Sequence, residues 1–239
     1  PRDVFALQIS MLTMALGGLF VSAALTERRY SEMRLDMLAN HDPLTGLPNR
    51  SYFQDFLGHA LARAQREKSQ VSLLFIDLDH FKQVNDSLGH EKGDMLLRQA
   101  ARRISERVRA TDTVARLGGD EFTVILAGVG QLGGIERVLQ ELTAALALPF
   151  VLDGDTAQVS ASVGVALYPA DAESPDALLR HADQAMYAAK SAGRNGYSYF
   201  TPALQQAAEL RRSTVREMRL ALAQDQFEVH YQPIIRLCD

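Results

Sequence analysis

The sequence predicts an α/β fold in which a mainly antiparallel sheet carries helices on its faces. Three observations predict it. "VSLLFIDLD" (Val71 to Asp79) is an apolar, β-branched run of the length of a buried strand. "DTVARLGGDEFTVILAG" is two strand-like stretches joined by a Gly-Gly turn. Amphipathic helices are interspersed without strict strand–helix alternation, which disfavours a wholly parallel sheet.

The elements follow in order. Val4 to Thr26 carries no charge, and a helix of that length spans roughly 30 Å, the thickness of a bilayer core. Residues 1–26 therefore read as a transmembrane helix; a buried or coiled-coil helix is the alternative. "ERR" follows at Glu27 to Arg29, which places the C-terminal side in the cytoplasm. Residues 27–40 read as a connecting helix able to pair with a copy of itself, or as a solvated single helix. "HDPLTGLPNR" (His41 to Arg50) is turn-rich and opens a new domain, 41–201.

Inside that domain "SYFQDFLGHALARAQREK" is an amphipathic helix ahead of the Val71 strand. "EKGDMLLRQAARRISERVRA" is a second long helix, with Leu96, Leu97, Ala100, Ala101, Ile104 and Val108 on its core side. The Gly118-Gly119 hairpin comes next, then the helix "IERVLQELTAALAL" and one strand, "TAQVSASVGVALYP", whose alternation weakens at Gly164. "SPDALLRHADQAMYAAKSAG" is a fourth helix, with Ser174 as N-cap, Pro175 in the first turn and Gly193 as C-cap. "YSYF" is a last short strand, and 202–239 begins with a helix.

Composition narrows the function classes. The 239 residues carry 25 Lys+Arg against 29 Asp+Glu, a net charge of −4, which lacks the basic excess of a general nucleic-acid binder. A hydrophobic content of 47% suits a globular chain and argues against disorder. The one cysteine, Cys238, has no internal partner and suits a reducing compartment. A start at Pro1 and an end in strand-like sequence at Asp239 read as a piece of a longer protein.

The chemistry gathers at strand ends. Asp77 ends a buried strand, and an acid there is costly without compensation. Together with Asp120 and Glu121 at the hairpin tip it would make a dense negative patch suited to a hard divalent cation, Mg²⁺ or Mn²⁺. Such clusters can hold two metal ions for phosphoryl transfer. Asp79, read alone, is a surface cap for the helix starting near His80. Gly118 and Gly119 supply positive φ without strain and leave a flat floor on which a nucleotide can lie. Asn85 and Asp94 pair an amide with a carboxylate, which suits the edge of guanine. Backbone N–H groups near His80 and Phe81, with Lys82, Lys190 and Arg194, suit a triphosphate. Ordinary hairpin geometry and helix-end charges are the competing explanations for Gly-Gly and for the Lys190–Arg194 pair.

These motifs together resemble the GGDEF family, the bacterial diguanylate cyclases. The resemblance covers about Asn40 to Phe200 and rests on "DPLTGLPNR", "DLDHFKQVND", "GHEKGD", "RLGGDEF", "ASVGVA" and "ADQAMYAAKSAGRN" in order. It implies a palm-like, cyclase-like fold. It also implies that two GTP molecules become cyclic di-GMP and two pyrophosphates across a homodimer. By resemblance, Asp77, Glu121 and the Leu78 carbonyl ligate metal, and Asp120 ligates metal and assists deprotonation of the 3′-hydroxyl. Asn85 and Asp94 read guanine; Phe81, Lys82, Lys190 and Arg194 contact phosphate; Gly118 and Gly119 line the nucleotide. "RATD" resembles the family's inhibitory site, with Arg109 and Asp112 binding product.

The segment 202–239 resembles a linker helix and the truncated start of an EAL phosphodiesterase domain, and the first residues resemble the last helix of a membrane sensor. The expectation is a cyclase at the bacterial inner membrane with its catalytic domain in the cytoplasm. The alternative is a module that binds GTP or cyclic di-GMP and regulates a C-terminal phosphodiesterase domain.

Overall fold

The computed structural model describes residues 26–28, 37, 39–128, 132–224 and 226. The expected transmembrane helix, most of the connecting helix and the EAL-like strand lie outside the described residues. Among the described residues no helix is long and apolar enough to cross a membrane.

The elements run α1 (Arg50–Glu67), β1 (Val71–Asp79), α2 (Phe81–Leu88), α3 (His90–Ser105), β2 (Thr113–Gly118), β3 (Glu121–Ala127), α4 (Leu132–Ala147), β4 (Phe150–Leu152), β5 (Asp155–Ala157), β6 (Ser160–Tyr168), α5 (Pro175–Ser191), β7 (Gly196–Tyr199) and α6 (Pro202–Ala223). A five-stranded sheet has the order β2-β3-β1-β6-β7. Every neighbouring pair in it is antiparallel except β6 and β7.

Strand alternation sorts the core into two layers. Leu74, Ile76 and Leu78 of β1, with Phe122, Val124 and Leu126 of β3, pack beneath Leu96, Ala100 and Ile104 of α3 and Leu139 and Leu142 of α4. Val71, Leu73 and Phe75 face the other way, toward Phe53 and Leu57 of α1 and Leu178, Ala182 and Met186 of α5. The parity continues to the end of β1, so Asp77 and Asp79 project on the α1/α5 side. Central β1 is buried along its whole length, as its unbroken apolar run requires.

Local chemistry sets the helix ends. Asn49 caps α1 by accepting from the Tyr52 N–H at 3.0 Å. Ser174 caps α5 by accepting from Ala177, with Pro175 at the first helical position.

Three expectations need correction. The stretch Thr156 to Pro169 is not one strand: β5 pairs with β4 in a small separate hairpin, and β6 alone joins the main sheet. Helix α3 stops at Ser105, so Val108 packs on the core from the following loop. The hairpin turn is Gly119-Asp120, because Gly118 still pairs with Glu121.

Candidate active site

The register of the sheet builds the acidic centre. Asp77 is the direct partner of Glu121 across β1 and β3, on the α1/α5 face. Asp120 sits in the turn between β2 and β3, and its carbonyl accepts from the Leu78 N–H at 3.3 Å. The hairpin tip is thereby tied to the end of β1. Burial comes first in pushing the Asp77 carboxyl up to about 6; the Asp120 and Asp79 charges add to it, and Lys190 opposes it. Burial also raises Glu121, helped by Asp183 and Asp120 and opposed by Arg50.

Cations surround these acids. Lys190 Nζ lies 2.7 Å from Asp77 Oδ1. Arg50, at the start of α1, lies 3.7 Å from Glu121. Arg194 lies beyond the end of α5 at φ +64°, so it is not a helical neighbour of Lys190, and its Nε is 3.9 Å from Asp79.

Asp79 is not a surface cap. It is buried and accepts from the Ser160 hydroxyl (2.6 Å), the Ser162 hydroxyl (2.8 Å) and the Asn195 N–H (3.2 Å). The N-cap position of α2 belongs to His80, in the left-handed region and without a side-chain cap bond.

The two glycines do what their lack of a side chain suggests. Gly118 has φ +138° and Gly119 +53°, and a Cβ on either would meet nothing within 4 Å. The surface beside the acids is open and flat. Gly119 is also held from below, since its carbonyl accepts from Arg116 Nε (3.1 Å) and Nη2 (2.7 Å).

Asn85 of α2 packs against Gly93, the residue before Asp94 in α3. A Cβ on Gly93 would stand 1.8 Å from Asn85 Oδ1, so the Asn85 amide occupies its present place only because residue 93 lacks one. Phe81 is buried at the start of α2 and Lys82 is exposed beside it.

Arg109 and Asp112 form a closed turn apart from the acids. The Arg109 N–H donates to Asp112 Oδ2 at 2.9 Å, and the Asp112 N–H donates to the Arg109 carbonyl at 3.0 Å. Both line a cleft of about 490 Å³ with Leu47, Pro48, Phe56 and Val114. Asp112 Oδ1 is enclosed there without a hydrogen-bond partner.

The fit to a metal ion can be judged on the donors. Among the described residues no three His, Cys, Asp or Glu side chains converge on a preformed cage. Two registered carboxylates with a third on the adjacent turn still suit Mg²⁺, which keeps several waters and takes substrate phosphate oxygens rather than a full protein cage. The Asp77 carboxyl is raised first by burial and then by the neighbouring acids, a cost of ionisation that a bound cation would relieve.

The family follows from comparison with known proteins. The model of the diguanylate cyclase GGDEF domain matches residues 39–196. The chain belongs to the GGDEF family. It is 41% identical over 212 residues to the bifunctional diguanylate cyclase/cyclic di-GMP phosphodiesterase MucR of Pseudomonas aeruginosa, covering 89% of this chain and 31% of MucR. It superposes with TM-score 0.69 and 42% identity on the GGDEF domain of PA1120 (TpbB or YfiN) from the same species, covering 71% of this chain and 99% of that one. The coiled coil and GGDEF domain of DgcB from Caulobacter crescentus, in complex with c-di-GMP, matches with TM-score 0.69 and 30% identity over 76% of this chain and 96% of that one. This GGDEF chain spans less than a third of the length of the first curated relatives it matches.

Sequence reasoning quoted the segments holding Asp42, Arg50, Gly93, Arg116, Ser160 and Ser162 but assigned these residues no role. Asp42 and Arg116 are 74 positions apart, and only the fold joins them. Gly93 carried one available signal: a glycine inside a helix needs a packing reason.

Proposed function

We propose that this GGDEF domain is a metal-dependent diguanylate cyclase, which condenses two GTP into cyclic di-GMP and two pyrophosphates in a homodimer. The observation that carries the reading is the registered Asp77–Glu121 pair beside Asp120 on the Gly118-Gly119 platform, faced by Lys190. A pure binding module has no need of these acids.

The residues divide the work. Asn85 and Asp94 read the guanine edge, the amide and carboxylate matching its acceptors and donors. The open glycine floor lets the nucleotide lie against the backbone. Lys82, Lys190, Arg194 and the N–H groups at the start of α2 (the Phe81 end) hold phosphate oxygens. Asp77, Glu121 and Asp120, with the Leu78 carbonyl, would hold Mg²⁺, which when bound neutralises charge on the phosphates.

Asp120 accepts the proton from the 3′-hydroxyl of the facing GTP. That oxygen then bonds to the α-phosphorus as the α–β phosphoanhydride breaks and pyrophosphate leaves. Two domains must face each other, because each supplies one GTP and positioning provides much of the rate. The Arg109–Asp112 turn and its cleft bind product and restrain the enzyme, the guanidinium taking a guanine edge or phosphate bidentately. The uncharged run Val4 to Thr26 anchors the chain in the bacterial inner membrane, with this domain on the cytoplasmic side. The chain's last residues begin an EAL domain.

The test is turnover of GTP by the solubilised chain with Mg²⁺, with products separated beside an Asp120→Ala variant. Cyclic di-GMP from the native chain alone supports the reading. GTP binding without turnover in a proven dimer turns it to the regulatory module.

A further inference from the structure

Two acids leave β1 on the same face, two residues apart, and the fold treats them in opposite ways. Asp77 faces Lys190 and the acidic turn. Asp79 is 1% exposed, and donors from two separate parts of the chain surround it. Ser160 and Ser162 reach it from β6, its partner in the sheet. The Asn195 N–H reaches it from the turn after α5. With both oxygens engaged by two hydroxyls and an amide and the side chain buried, Asp79 is committed to protein donors and is ill placed to ligate a metal ion.

The turn it holds needs holding. Gly193, Arg194 and Asn195 stand at φ +123°, +64° and +47°, three successive residues in the left-handed region. That is unstrained for the glycine and tolerated by asparagine, but costly for Arg194, which persists there because surrounding bonds over-determine the turn. Two such bonds are the Arg194 N–H to the Ala189 carbonyl (3.2 Å) and the Asn195 N–H to Asp79. The Arg194 side chain leaves this turn with Nε 3.9 Å from Asp79 Oδ1 and remains about half exposed. One nitrogen is oriented by the buried carboxylate, while the guanidinium as a whole stays free to meet a ligand.

Resting on the cyclase reading, we propose that Asp79 is a positioning residue: it fixes the Gly193–Asn195 turn and aims Arg194 at the nucleotide's phosphates. Ser160 and Ser162 hold Asp79 in that role. The pair of acids on β1 then serves two ends, Asp77 at the reacting centre and Asp79 on the arm that grips the phosphates.

The experiment measures GTP and guanosine affinity, and KM and kcat for GTP, on the full chain and its Asp79→Asn, Arg194→Ala and doubly substituted forms. The expected result is GTP binding weakened about tenfold in each single variant, with guanosine binding unchanged. The double variant should be no worse than Arg194→Ala, since the two groups act as one unit. Should Asp79→Asn fold poorly, Ser160→Ala loosens the carboxylate while keeping its charge, and should lower GTP affinity severalfold without touching guanosine. Unchanged GTP affinity in these variants, additive losses, or equal losses for guanosine overturn the proposal. A native chain that binds GTP no better than guanosine overturns the cyclase reading first, and this inference with it.

Discussion

Arg116 Nη1 lies 2.8 Å from Asp42 Oδ1 and 2.9 Å from Oδ2, joining the strand that leads into the acidic hairpin to the loop that opens the domain. The same guanidinium holds the Gly119 carbonyl, and Asp42 also accepts from the Thr45 N–H and hydroxyl. The Arg116 side chain is only 10% exposed. The Gly119-Asp120 turn is thus braced through Arg116 by the loop that opens the domain.

Asp42→Ala would leave that guanidinium without its carboxylate, at a cost of about 2 kcal/mol. The urea midpoint should fall by the corresponding amount, and turnover should fall with it as Gly119 loosens. Asp42→Asn should cost less, because an amide oxygen still accepts.

The same pair gives a pH dependence of definite sign. Burial alone would raise Asp42, but the bonds from Thr45 and Arg116 outweigh it, and the carboxyl lies below its ordinary value of 3.8. A depressed folded-state value stabilises the fold above the unfolded value and loses that contribution as pH falls through the folded one. The stability gap between the native chain and Asp42→Asn should be full at pH 6, begin to narrow below about pH 4 and close only as pH falls through the depressed folded value. Urea titrations at stepped pH measure it, and a gap that widens toward acid would contradict the pairing.

Sheet and helices were legible because their periodicities are strong: β1 is apolar throughout and α3 repeats its core face. The grouping of the candidate site was legible in outline, since Asp120, Glu121 and the glycines are adjacent in sequence and Asp77 ends a strand that pairs with Glu121. What stayed hidden was non-local. Nothing near Asp79 in sequence reveals Ser160 and Ser162, which lie 81 and 83 positions away. Its reading as a cap used only the helix that follows. The β4–β5 hairpin was missed because three-residue strands are too short for alternation to register.

Gly93→Ala should separate specificity from stability. The new Cβ would clash with the far end of a flexible side chain, Asn85 Oδ1 at 1.8 Å and Cγ at 3.0 Å, and touch Phe81 Cζ at an ordinary 3.4 Å. Asn85 can turn away at a cost below about 1 kcal/mol. Its amide then no longer meets guanine, and the preference for GTP over ATP should fall on the order of 100-fold. Competition binding reads the preference and urea unfolding the stability; a large stability loss with specificity intact would contradict Asn85 as a base reader.

Asp77→Asn should do the reverse, raising stability while abolishing activity. The Asp77 carboxyl stands at about 6, above its ordinary 3.8, with burial as the leading cause. For an acid raised in this way the fold prefers the protonated form, so ionisation destabilises it as pH rises through 3.8 toward 6 and the penalty is complete above. Removing the charge should add about 1–2 kcal/mol at pH 7.5 in metal-free buffer, less whatever the lost pairing with Lys190 contributes. The gain should shrink as pH falls through about 6 and be gone below about pH 4. Mg²⁺ should narrow it too, by stabilising the native chain alone.

Gly164→Ala is the harshest of these changes, although the sequence marks Gly164 only as a lapse in alternation. A Cβ there would lie 1.9 Å from the Ala182 carbonyl oxygen and 2.2 Å from the Met186 nitrogen. These are backbone atoms of α5, which cannot swing aside as Asn85 can, so the helix must lift from the sheet. Overpacking of this kind costs about 3 kcal/mol or more. The damage should also be directional. Lys190 lies one turn beyond Met186 on α5, and Arg194 follows the same helix, so lifting α5 withdraws both cations from the acids of β1. Where Gly164→Ala still folds, its KM for GTP should rise and its affinity for guanosine should hold. Asn85 and Asp94, proposed to read guanine, stand on α2 and α3, whereas the backbone nearest Gly164 belongs to α5.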